Sequence, residues 1–333
     1  MDSRVSKTLV RPPEAPVMVR VENISKRFGR LTALDSISFE IRQGEILGFL
    51  GPNGAGKTTA IRILTGFFPP GDGKVWIAGQ DLFKDPRGGK RHIGYMPESV
   101  SLYDDMKVSE FLDFSACIKS VPRKTRAVHV REKTARCGLD SVRNRLIGQL
   151  SKGFRQRVGL AQSLIGDPDV LFLDEPTNGL DPQQIIEIRT LIRELGKEST
   201  LILCTHILPE VSMVCDRVLI LNGGKLVASG TTEELEATLR EQQEIYVTMG
   251  DRHRAEEGLA VLSGFPGAEQ VRIVQEKNDQ VYFSLFVSKG RDLRSEISRA
   301  FVERNLPLLE IRSVRLSLEE IFMKIVIRED AAS

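Results

Sequence analysis

The chain has 333 residues, long for one domain and comfortable for two, and its 41% hydrophobic and 28% charged residues can build a sizeable core. A net charge of +2 is too small to argue for nucleic acid as a partner. No run approaches the ~18 apolar residues of a membrane span, and Cys117, Cys137, Cys204 and Cys215 show no C-x-x-C pairing, so the chain reads as a reduced cytosolic protein rather than a disulfide framework or a zinc site.

Residues 1–16 carry scattered charges and three prolines without the apolar centre of a signal peptide, and a loose tail is expected there. Val17 to Val21 alternates weakly and suggests an edge strand. Phe28 follows on a polar turn. Its ring is either an adenine platform or a cover for the sheet edge. Ser36 to Ile41 is a second strand and Glu45 to Leu50 a buried one. Then comes Gly51-Pro52-Asn53-Gly54-Ala55-Gly56-Lys57-Thr58-Thr59, which fits G-x-x-x-x-G-K-[ST] between that strand and a helix from Thr59. Glycines let consecutive N–H groups turn inward around anionic oxygens, and the helix points its positive end at them. Lys57 can reach β- and γ-phosphates, and the Thr58 hydroxyl can ligate Mg²⁺. Lys74 to Ile77 reads as a third strand.

Ile93 to Met96 is a short strand that stops at Pro97 and leaves Glu98 on a loop. From Ser109 to about Gly138 the pattern is helical, with Val108, Phe111, Leu112, Ser115 and Ile118 on one stripe. Pro122 opens a second helix with Arg123, Lys124, Arg126, Arg131, Lys133 and Arg136 against one acid, Glu132. That run is a solvated face or a face turned to an anionic membrane leaflet or acidic partner. His129 within it reads as a surface histidine. Leu150 to Phe154 precedes an apolar helix, with Ser151 as N-cap or, together with Gly153, as a second anion site. Val170 to Leu173 is a buried strand closed by Asp174 and Glu175. Asp174 would hold Mg²⁺ directly or through water, and Glu175 could accept a proton from an attacking water. Asp181 lies in a turn leading into a helix. Thr200 to Thr205 is a strand that delivers His206 at its tip, placed for a γ-phosphate contact. Arg217 to Leu221 and Lys225 to Ala228 form a hairpin around Asn222-Gly223-Gly224.

These motifs, over about residues 17 to 235, resemble the ATP-binding subunits of ATP-binding-cassette (ABC) transporters. The likeness is greatest to the exporter-type, ABC-2 or multidrug-like group, which works with a separately encoded permease. The resemblance implies an α/β fold, a P-loop NTPase cassette with a mixed sheet core over 17–237 and a helical subdomain at about 99–165. It implies ATP and Mg²⁺ as ligands, with Thr58, Glu98 and Asp174 at the metal. Phe28 is then the adenine aromatic, Gly51 to Thr59 the phosphate loop and Glu98 the counterpart of a loop glutamine. Leu150 to Phe154, with Ser151 and Gly153, is the signature segment that touches ATP on a second protomer, and Asp181 lies at that seam. Asp174 is the magnesium carboxylate, Glu175 the catalytic one and His206 the switch histidine. The implied partners are a transmembrane permease and a second copy, at the cytoplasmic face of the membrane. Lys152 and Phe154 depart from the commonest signature, Leu-Ser-Gly-Gly-Gln, and Glu98 departs from glutamine. The alternative function is a soluble mechanical ATPase of the same superfamily; the short stretch between Glu98 and Ser151 leaves no room for the long arm such chains carry.

The stretch 238–328 lies outside the cassette. Strands are expected at Glu244 to Met249, Glu269 to Gln275, Gln280 to Val287 and Leu309 to Arg315. Helices are expected at Arg252 to Leu262, Arg291 to Glu303 and, capped by Ser317, Leu318 to Ile325. The β-α-β-β-α-β order matches an α+β, ferredoxin-like split βαβ unit. By the resemblance it is an accessory domain that regulates or steadies the dimer.

Overall fold

Runs such as Val170–Leu173 and Leu201–Cys204 lack polar alternation, so both faces of such strands need an apolar cover. The protein, described here by a computed structural model, provides it. The structure describes residues 15–239, 242–277, 279–288 and 292–314. Most of the expected N-terminal tail, and Ser317 with the last expected helix, Leu318 to Ile325, lie outside them. The chain divides into two compact units between Thr231 and Thr232, ahead of the boundary expected at residue 237.

The first unit runs β1 (Val17–Phe28), β2 (Leu31–Arg42), β3 (Ile46–Leu50), α1 (Lys57–Leu64), β4 (Asp72–Ile77), β5 (Gln80–Asp81), α2 (Pro86–Arg91) and β6 (Ile93–Met96). It continues α3 (Val108–Ile118), α4 (Arg123–Arg136), α5 (Lys152–Leu164), β7 (Val170–Asp174), α6 (Pro182–Leu195), β8 (Thr200–Thr205), α7 (Leu208–Val214), β9 (Arg217–Asn222) and β10 (Lys225–Gly230). Six strands form one mixed sheet in the order β10-β9-β3-β8-β7-β6, parallel but for β10. On β7, Leu171 and Leu173 join the core that includes α3 and α5, while Val170 and Phe172 join the opposite core with α1 and the small sheet. β8 divides the same way, with Leu201 and Leu203 on one side and Ile202 and Cys204 on the other. Two apolar layers around one parallel sheet thus account for the unbroken apolar runs.

The second, antiparallel sheet has the order β2-β1-β4-β5. Here the expectation for Val17 to Val21 is corrected. β1 is an inner strand, paired on both sides, and continues through Phe28. Its weak alternation marked a strand, but which strands border it is a matter of long-range pairing. Three further expectations change. Val108, Phe111, Leu112 and Ser115 of α3 are buried, but Ile118 ends the helix and is 67% exposed. His129 is not a surface residue: its Nε2 accepts the Gly166 N–H at 3.0 Å and its side chain is 11% exposed. Nor is the basic run uniformly solvated. Lys133 is buried, 2.6 Å from Asp167 and 2.9 Å from Glu132. Arg136 pairs with Glu198.

The second unit contains α8 (Thr232–Leu239), β11 (Gln242–Met249), α9 (Ala255–Ser263), β12 (Ala268–Lys277), β13 (Gln280–Ser288), α10 (Arg294–Glu303) and β14 (Leu308–Val314). Its sheet is antiparallel throughout, in the order β12-β13-β11-β14. This is the split βαβ arrangement. Alternate residues Ile245, Val247 and Met249 of β11 and Val281, Phe283 and Leu285 of β13 meet Leu262, Ile297 and Phe301 of the helices in one core.

Among the described residues, no helix is long and apolar enough to cross a membrane.

Candidate functional site

Parallel strands in register bring their C-terminal ends to one edge. Leu50 lies opposite Thr205, Cys204 opposite Asp174, and Leu173 opposite Met96. The residues that follow are Gly51, His206, Glu175 and Pro97-Glu98, so four separate loops leave the sheet side by side. Such an edge is where α/β sheets take ligands. A cleft of about 440 Å³ opens there.

Its floor is the glycine loop and the start of α1, with Asn53, Gly54, Gly56, Lys57, Thr58 and Thr59. Gly56 has φ 103°, and a Cβ on it would strike the Ala33 carbonyl oxygen. Only glycine fits that turn. No side chain caps α1, so its first-turn N–H groups are left for an anion. Lys57 is buried, and its Nζ donates to the Gly51 and Pro52 carbonyls at 2.6 and 3.0 Å. One wall is Phe28 with Leu31, Thr32 and Ala33. The Phe28 ring is 48% exposed and is held edge-on by Phe68, with centroids 5.8 Å apart.

The other wall is acidic, with Glu98, Asp174, Glu175, Asn178 and His206. Glu175 sits at φ 48°, a left-handed conformation that costs a non-glycine residue about 1–3 kcal/mol. Its carboxylate is held on several sides. Oε1 accepts the His206 N–H at 3.0 Å and lies 2.7 Å from His206 Nδ1, while Oε2 lies 3.2 Å from the Thr205 hydroxyl. Burial pushes the Asp174 carboxyl above the usual carboxylate range; a hydrogen bond from the Cys204 thiol opposes this, Glu175 and Glu98 add to it, and Lys57 draws it back. Burial, then Asp174, pushes the neighbouring Tyr95 up to about 12. Glu98 accepts the Asn178 side-chain amide at 3.0 Å. The replacement of glutamine by a carboxylate therefore comes with a hydrogen-bond donor.

Among the described residues no group of three or more His, Cys, Asp or Glu could hold a metal unaided. The donors at the cleft, Thr58, Asp174 and Glu98, are all hard oxygens, as Mg²⁺ takes, and it fills its remaining positions with phosphate and water. The donor set fits a magnesium–phosphate ligand.

Ser151, Gly153 and Asp181 do not line this cleft. Ser151 caps α5 by accepting the Phe154 N–H, and Asp181 caps α6 by accepting the Gln184 N–H at 2.9 Å. Gly153 is buried, and a Cβ there would stand 2.6 Å from Gln184 Oε1, so any larger residue at this point would have to displace the end of the Gln184 side chain. Leu31, Thr32, Ala33 and Asn178 were not anticipated as site residues. Asn178 had a signal, three residues past Glu175 in a turn; Leu31 to Ala33 had none, because their place depends on the β1–β2 hairpin.

A family model described as ABC transporter matches residues 34–178. The chain is 32% identical to the bacitracin transport ATP-binding protein BcrA of Bacillus licheniformis, over 93% of this chain and 97% of that protein. It is 29% identical to the daunorubicin resistance ATP-binding protein DrrA3 of Streptomyces coeruleorubidus, over 93% and 96%. A solved structure described as the ATP-binding subunit of an ABC transporter superposes with a TM-score of 0.61 at 27% identity, covering 67% of this chain and 93% of that one. The fold is shared with MJ0796, a bacterial ABC transporter cassette solved as a dimer, at a TM-score of 0.59 and 23% identity over 64% and 98%.

Proposed function

This chain belongs to the ATP-binding proteins of ABC transporters, the ATPase subunits that energise transport, and we propose that it drives export through a separate transmembrane permease at the cytoplasmic face of the membrane. The observation that carries the reading is the convergence of Lys57, Asp174, Glu175 and His206 on one cleft at the sheet edge. A bound magnesium ion, held by Thr58, Asp174 and Glu98, would supply positive charge to the phosphoryl group. Lys57 and the N–H groups of the glycine loop and α1 bind the phosphates and stabilise charge that develops on transfer. Phe28 offers its exposed face to the adenine. Glu175 orients a water and takes its proton, and His206, hydrogen-bonded to Oε1 of the same carboxylate, anchors that oxygen and reads the γ-phosphate. The left-handed backbone at Glu175 is consistent with strain retained at a working residue.

Ser151, Gly153 and Asp181, which stand outside the cleft, serve a second copy of the chain. Ser151 and the first turn of α5 reach the phosphates bound by that copy, and Asp181 lies at the seam. MJ0796, which shares the fold, was solved as a dimer, and this supports a pair of chains. ATP held from both sides favours the closed pair, hydrolysis weakens it, and the cycle moves the permease. The names of BcrA and DrrA3 support an export role. The split βαβ unit regulates or steadies the pair.

The deciding variant is Glu175→Gln. It should bind ATP with parental affinity, lose about 10²–10⁴-fold in turnover and accumulate as an ATP-bound dimer on gel filtration. Parental phosphate release by this variant would remove Glu175 as the base.

A further inference from the structure

The mechanism above leaves out Glu210, a buried acid on α7 that is 1% exposed. Three elements converge on it. The Thr177 hydroxyl, in the loop after β7, donates to Oε1. Arg189 of α6 brings its Nη2 to 3.5 Å from the same oxygen. Thr205, the last residue of β8, places its hydroxyl 3.0 Å from Oε2. That hydroxyl is itself fully buried and lies 3.2 Å from Glu175 Oε2. Its oxygen also accepts the Ile207 N–H at 3.0 Å, which fixes where it stands.

A threonine hydroxyl has one proton to donate. Glu175 and Glu210 therefore share one donor, and the hydroxyl serves either by rotating about its C–O bond. This bears on the cost of moving Glu175. If Glu175 alone accepted from Thr205, turning Oε2 towards a water would strand a buried donor, which is unfavourable. With Glu210 at 3.0 Å the donor has a second acceptor, and the Glu175 carboxylate turns without orphaning it. Thr177 and Arg189 hold Glu210 in place for that purpose.

We propose that Glu210 and Thr205 are positioning residues for the base: Glu210, anchored by Arg189 and Thr177, takes over the Thr205 hydroxyl whenever Glu175 engages water. The proposal rests on the reading of Glu175 as the base. It is tested on the full chain by steady-state phosphate release and ATP affinity for Thr205→Ser, Thr205→Val, Glu210→Gln and the double variant Glu210→Gln/Arg189→Met. The serine variant, which keeps the hydroxyl, should stay within about twofold of the parent, whereas Thr205→Val and Glu210→Gln should lose about tenfold in kcat with KM and ATP affinity within about twofold. The double variant removes the buried carboxylate together with its partner cation; it should regain thermal stability but not kcat. Recovery of kcat in the double variant would make Glu210 no more than the counterion of Arg189 and overturn the proposal. Parental kcat in both Glu210→Gln and Thr205→Val would do the same. Should Glu210→Gln fail to fold, the Thr205→Ser and Thr205→Val pair, which leaves the ion pair intact, decides alone. Glu175→Gln is assayed beside them. If it is inactive while the others are parental, only the positioning role fails; if it turns over normally, the base assignment fails and the positioning role with it.

Discussion

The six-stranded sheet of the first unit and the four-stranded sheet of the second both pack against helices, yet the first is largely parallel and the second antiparallel, and among the described residues the cleft of catalytic type lies at the edge of the first. In the first, β3, β8, β7 and β6 run parallel, so every strand ends at the same edge and delivers its loop there. Buried polar side chains gather at that edge: Lys57, Asp174, Glu175, Thr177, Thr205 and Glu210. In the second, neighbouring strands run in opposite directions and their ends alternate between two edges. Its buried polar groups lie along strands instead, as in the Ser284 hydroxyl that donates to Glu244 at 2.5 Å between β13 and β11. Strand polarity, more than composition, decides where chemistry can collect.

Three substitutions sharpen that contrast. Phe283 is fully buried among Ile245, Val247 and Phe301 in the second unit's core. Phe283→Ala should destabilise that unit by about 3–5 kcal/mol, seen as an early calorimetric transition. ATP affinity should be unchanged, and a large loss of affinity would mean the two sheets are not separable in function. Phe28→Ala, at the cleft wall, should do the reverse: about tenfold weaker ATP binding, or ~1.4 kcal/mol, with little change in melting temperature. Equal affinity in titration calorimetry would return Phe28 to the role of sheet cover.

The smallest effect concerns Asp174. Burial raises its pKa in the folded chain above the ordinary 3.8. An acid whose folded pKa is raised favours folding below the unfolded value and loses that contribution as pH rises through the folded one. With Mg²⁺ chelated, the parental melting temperature should therefore decline from about pH 4 upward relative to Asp174→Asn, by no more than about 2–4 °C. Adding Mg²⁺ and ATP should reverse the order of the two proteins. Parallel melting curves across that range would show that Asp174 carries no such cost.

Much of the site was legible in residue order. The glycine loop, the acids closing β7 and His206 closing β8 are each adjacent to a strand whose apolar run is unmistakable. The cap of α5 was legible too, in Ser151; Asp181, read as part of a turn leading into a helix, also proves to be the cap of α6. Less legible were residues whose place depends on distant chain. β1 looked like an edge until β2 and β4 flanked it. Lys133 and His129 looked solvated until the turn at Gly166 and Asp167 closed over them. Glu210 drew no reading at all from its neighbours in the chain; it is buried against Thr177, Arg189 and Thr205, three residues that only the fold brings to it.

What residue order determined alone was the local chemistry: a loop of glycines before a helix, apolar strands and the polar groups at their tips. These follow from backbone freedom and side-chain pattern within a few residues. The tertiary structure alone decided which tips share a cleft, that Asn178 supplies a donor to Glu98, and that one threonine hydroxyl lies between two carboxylates. Those arrangements join residues as far apart as 98 and 178, and no local preference encodes the register that brings them together.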